Sequence, residues 1–139
     1  GWRDAAGLST DLDCSVVGFT SNGMRDDAST VWYGHLRNNE QRQAPTGMAA
    51  NPPPTNGSSI VHTGDILTGQ RSGALQDQER IYVWLTNLPD RIATLAIAAD
   101  VYTPGLSFAN LEEAYVRLVN ADTDQELARL TLTKQHLGV

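Results

Sequence analysis

The chain has 139 residues, 40% of them apolar and 19% charged, with a formal net charge of −6. This is a globular composition, long enough to bury one core, and its acidity excludes a general nucleic-acid binder, which needs a basic face. The single cysteine, Cys14, rules out an internal disulfide framework and argues against a cysteine zinc site, and it sets the expectation of a reducing compartment.

From the N-terminus onward, apolar residues recur with period two more often than 3.6, which predicts strands. "LDCSVVGF" (12–19) and "TVWYG" (30–34) read as strands joined by the turn "TSNGMRDD" (20–27). In that turn Asn22-Gly23 suits positive φ angles. Residues 37–59 differ. They carry four of the six prolines and almost no large apolar side chains. This is a long surface loop, semi-rigid near Pro52-Pro53-Pro54, and either a plain connection or a polyproline contact. The "NGS" sequon at Asn56 is treated as chance in a chain with no secretory signal.

"SIVHTG" (59–64) is a short strand. In "RIYVWLTNL" (80–88) Ile81, Val83 and Leu85 are expected on one face, with Tyr82 and Trp84 on the other. In "IATLAIAADVY" (92–102) Leu95, Ile97, Ala99 and Val101 share a face. "SFANLEEAYV" (107–116) offers an N-cap at Ser107 or Asn110 and one or two helical turns. "AYVRLVN" and "ELARLTL" around "ADTD" form a β-hairpin. The expected architecture is all-β: a single-domain β-sandwich of about seven or eight mostly antiparallel strands with one or two short helical turns. No apolar run is long enough to span a membrane, so a cytoplasmic location without membrane insertion is expected.

Four chemistries can be tested on the residues. "GDILTGQR" has the glycine spacing of a phosphate loop, but Gln70-Arg71 stands where Lys-Ser/Thr is required and no helix pattern follows. A hydrolase would use His62 as base, yet no serine sits in a nucleophile elbow and Cys14 lies within an apolar strand. An EF-hand starting at Asp11 fails, with Val16 in place of the required glycine and Asn22 in place of the glutamate. A calcium site of another kind remains open. Asp11 and Asp13 share a strand face, Asp65 sits in a glycine-flanked turn, and Asp77 and Glu79 are again two apart. The other reading of these acids is plain solvation near strand ends.

The order "GW", "DLDCSVVGF", "VWYGHL", "SIVHTGDILTG", "ERIYVWLTNLP", "YVRLVNADTDQELARLTL" resembles the TerD family of tellurium-resistance and general stress proteins. The most specific blocks are "HTGD-x-LTG" and "R-x-VN-x-x-T-x-x-ELAR". The resemblance implies a calcium-binding β-sandwich with no enzymatic activity of its own. It implies one or two Ca2+ ions, held by the metal ligands Asp11, Asp13, Asp65, Asp77 and Glu79. It also implies protein partners in a stress-resistance complex, which could hold the chain at the periphery of the inner membrane. The alternative it leaves is a metal-free structural or assembly module that self-associates through an edge strand or the 37–59 loop. The chain departs from the pattern at Ile66, where an asparagine is usual, and at Arg71, in a loop usually acidic. Terminal strands usual in the family are also not recognised at either end, so unpaired edges are expected.

Overall fold

The computed structural model describes residues 1–43 and 57–132. Eight strands are formed: β1 (Trp2–Asp4), β2 (Leu12–Thr20), β3 (Arg25–Val31), β4 (Ile60–His62), β5 (Ile81–Val83), β6 (Ile92–Val101), β7 (Leu111–Asn120) and β8 (Gln125–Thr131). The only helical pieces among the described residues are single 3-10 turns at Leu85–Asn87 and Phe108–Asn110. The all-β, antiparallel expectation therefore holds. Three sheets result, ordered β1-β7-β8, β3-β2-β6 and β4-β5. Among the described residues no helix is long and apolar enough to cross a membrane.

The chain divides into two compact units. One comprises Gly1–Asp13, Ile66–Glu79 and Ala99–Val139; the other comprises Cys14–Asp65 and Arg80–Ala98. Each has its own core. In the first, Trp2, Leu12, Leu111, Ala114 and Leu132 are buried, and Ala99, Val101, Phe108 and Val116 pack against them. In the second, Val16, Val31 and Ile60 are buried beneath Ile81, Val83, Leu88 and Leu95.

The first unit is organised around Trp2 and Asp4, both on the core-facing side of β1. The Trp2 indole donates to the Thr10 carbonyl at 2.9 Å. Asp4 is buried, and its two carboxylate oxygens accept the amides of Thr10 at 2.9 Å and Gly69 at 3.0 Å. The approach at Gly69 is so close that a Cβ there would lie 2.7 Å from Trp2 Cδ1 and 2.9 Å from Asp4 Cγ. Gly64, by contrast, is needed for its φ of 118°. The two glycines of the 62–70 stretch thus serve different needs, and neither cradles a phosphate.

In the second unit the β2–β3 hairpin turns at Gly23, with φ of 79°, as its Asn-Gly signal predicts. β3 begins earlier than expected, at Arg25, so Asp26 and Asp27 lie in the strand. It stops at Val31, where Trp32 and His35 close a tight turn by reciprocal backbone bonds. The base of the predicted 37–59 loop is closed by Asn38, which is buried. Its Oδ1 accepts the amides of Ser59 and Ile60, and its Nδ2 donates to Glu40 O and Ser59 Oγ. Residues 44–56, with the proline run and the sequon, lie outside the described residues. β5 is shorter than its alternation suggests. The chain enters a 3-10 turn after Trp84, which leaves Leu85 71% exposed rather than inward. Ser107 caps the second 3-10 turn through Ala109, with Asn110 answering in a capping box.

Replacing Asp4 with alanine leaves two buried amides without an acceptor. The expected loss is about 3 kcal/mol of unfolding free energy, read by urea denaturation.

Candidate metal centre

Asp11 and Asp13 flank the start of β2, spaced so that their side chains emerge on one side. Asp11 is fixed by its backbone: its amide donates to Thr103 Oγ1 at 2.8 Å, and its carbonyl accepts from Tyr102 at 2.9 Å. Asp13 is 4% exposed. A carboxylate oxygen of Asp11 lies within 4.8 Å of one of Asp13. Two like charges at that distance repel by about 3 kcal/mol at the effective dielectric of a partly buried site. Both are hard oxygen donors, the chemistry that suits calcium or magnesium and not a soft transition metal. The pair therefore fits the ion that the sequence resemblance implies.

Asp77 and Glu79 are placed differently. Asp77 accepts from Arg117 Nε at 2.8 Å and Nη2 at 2.6 Å, and from the Tyr115 hydroxyl at 2.6 Å. The Arg117 guanidinium holds the Asp77 carboxyl down at a pKa of about 2. Burial, reinforced by Asp77, pushes the Tyr115 phenol up to about 12. Asp77 is thus the acceptor of a fork-shaped ion pair. Glu79 accepts the Ile66 amide at 3.0 Å, joining the first and last residues of the 66–79 segment.

Arg117, Glu126 and Arg129 are the charged residues of the "R-x-VN-x-x-T-x-x-ELAR" block, and they join the same network. Arg117 and Arg129 face each other across β7 and β8. Asp77 and Glu126 neutralise them, with Arg129 bonded to Glu126 at 2.7 and 2.8 Å and stacked 4.1 Å over the Tyr115 ring. Alternation would put Glu126 and Arg129 on opposite faces. The register shifts between Leu118 and Val119, leaving Leu127 without a partner on β7, and this irregularity brings the two onto one face.

In the second unit Asp65 is exposed and follows the positive-φ Gly64. His62 ends β4 and is 3% exposed. Its Nδ1 accepts the Gly64 amide at 2.9 Å, so a neutral ring carries its proton on Nε2, which faces Cys14 Sγ at 3.8 Å. The expectation that His62 is a strand-end residue rests on this same position. Arg91 forms a separate ion-pair cluster with Asp26, at 3.0 Å, and with Glu40. Its guanidinium lowers the Asp26 pKa.

Sequence reasoning did not single out Asp4 or the Arg117–Asp77 pair. For Asp4 a signal existed: an acid two residues from a tryptophan in an alternating strand must share its buried face. The pairing of Asp77 with Arg117 joins positions 40 apart, and no local pattern reports it.

A family model described as "TerD domain" matches residues 1–138. The chain is 31% identical over 140 residues to the tellurium resistance protein TerD of Serratia marcescens, covering 96% of this chain and 62% of that protein. It is 35% identical over 133 residues to the tellurium resistance protein TerZ of the same organism, covering 94% and 56%. It is 23% identical over 135 residues to the stress response protein SCP2 of Bacillus subtilis, covering 95% and 58%. The chain thus spans 56–62% of the length of these relatives.

Because the Asp77 carboxyl is depressed from 3.8 to about 2, it contributes stability that is fully present above pH 4 and lost as pH falls toward 2. The contribution is about 2 kcal/mol. Asp77→Asn is expected to remove it and to flatten the pH dependence of unfolding in that window, measured by urea titrations between pH 2 and 6.

Proposed function

The chain belongs to the TerD-domain family, and from that premise we propose that it is a stress-response module of the tellurium-resistance type that binds calcium through Asp11 and Asp13. It acts by binding and scaffolding, not by catalysis. The observation that supports this reading most directly is Asp13, held 4% exposed with a like charge within 4.8 Å. Burying a carboxylate costs several kcal/mol unless it is neutralised, and a neighbouring carboxylate raises that cost. A divalent cation between the two turns their repulsion into attraction. When bound, the ion supplies fixed positive charge at the start of β2.

Two carboxylates offer at most four oxygens, and calcium takes six to eight. Backbone carbonyls and water would supply others, and the resemblance of the "HTGD" block adds Asp65 to the donor list. Ile66 brings no side-chain oxygen, and Asp77 is committed to Arg117. Affinity tracks ligand charge, so a dissociation constant on the order of 10⁻⁴ M follows. The cytoplasmic location and the stress-complex partners belong to the same proposal.

With 2 mM calcium the melting temperature is expected to rise by roughly 3–6 °C over the EDTA value. Asp13→Asn should abolish the rise and Asp65→Ala should reduce it. Asp77→Asn should keep the rise despite its lower stability. A wild-type melting temperature indifferent to 10 mM calcium refutes the calcium reading.

A further inference from the structure

The strands that end sheets are not equally protected. β3 carries Arg25, Asp26 and Asp27. β8 carries Glu126 and Arg129 and lies opposite the register shift. β1, β4 and β5 are three residues long. Charges, irregular pairing and shortness are the usual devices that stop an edge from recruiting another strand. β6 has none of them. Among the described residues it ends the sheet ordered β3-β2-β6 and runs for ten residues. From Ile92 to Ala99 it reads "IATLAIAA", with no charge, proline or glycine. Ala93, Thr94, Ala96, Ile97 and Ala98 are exposed, Ile97 by 50%.

We propose that β6 is a dimerisation edge, pairing antiparallel with β6 of a second copy of this chain. The strand is complementary to itself. Arg91 stands just before it and Asp100 near its end. An antiparallel arrangement sets the arginine end of each strand against the aspartate end of the other, whereas a parallel one sets like against like. A two-fold axis through Ala96 places Leu95 opposite Ile97 of the partner subunit, an apolar pair of the kind that stabilises sheets. The small Ala96 at the axis lets the backbones approach. The result is one continuous sheet, β3-β2-β6 followed by its two-fold copy. Its outer strands are then both β3, whose charges end the growth, so the assembly closes at two chains. This pairing uses no calcium ligand and does not rest on the calcium reading.

The test is sedimentation equilibrium of the 139-residue chain in EDTA between about 5 and 200 μM. A reversible dimer, twice the chain mass of 15.1 kDa, is expected. Ile97→Lys should raise the dimer dissociation constant by roughly tenfold or more, as a charge placed in an apolar strand pairing does. Its circular dichroism and melting in dilute solution should match the wild type. Leu130→Lys on β8 should leave dimerisation unchanged. In hydrogen exchange, the β6 amides should slow with protein concentration. A strict monomer at 200 μM, an open-ended series of oligomers, or a dimer lost in Leu130→Lys but kept in Ile97→Lys would each overturn the proposal. Should Ile97→Lys misfold, concentration-independent exchange at β6 would overturn it equally.

Discussion

A carboxylate can leave water only if something takes the water's place, and this constraint recurs through the first unit. Asp4 meets it with two backbone amides, and in doing so ties β1 to the chain at Thr10 and Gly69. Asp77 meets it with a guanidinium and a phenol, and so ties the 66–79 segment to β7. Asp13 meets it beside a like charge at Asp11, where a cation is the partner that lowers the energy of both. The first two are internal solutions and hold the unit together. The third is the one that a ligand can complete, and it is where structure passes into function.

Much of the architecture was legible in the sequence because it rests on local physics. The Asn22-Gly23 turn, the Ser107 cap, the β7–β8 hairpin and the strand at 92–101 all follow from residues within a few positions of each other. Leu85 was misread because alternation cannot show where a strand stops; the 3-10 turn begins there and the leucine faces out. The register shift in the β7–β8 hairpin was invisible for a related reason. Nothing in "QELARLT" marks the skipped pairing, yet that shift lets Glu126 bridge Arg117 and Arg129. Asp11, Asp13, Asp65, Asp77 and Glu79 looked equivalent as acids near strand ends. The structure separates them by what each carboxylate faces, and Asp77 faces an arginine that only the fold brings near.

The two most specific sequence blocks acquire physical meanings. In "HTGD-x-LTG", Gly64 supplies a backbone angle, its amide fixes the His62 ring, and Gly69 lets the chain approach Trp2 and Asp4. In the "ELAR" block the charges neutralise each other around Tyr115. Both blocks build the scaffold. The ion-binding chemistry falls instead to the short "DLD" at the start of β2, with Asp65 as the one donor of the first block that the family resemblance adds.

The central claim is that the Asp11–Asp13 pair is completed by calcium. It is tested most directly by isothermal titration of the metal-stripped chain with calcium. The account predicts saturable binding with one ion carried by this pair, lost when either aspartate becomes asparagine and weaker for magnesium. The absence of any saturable heat up to 10 mM calcium, or binding unchanged in both asparagine variants, would contradict it.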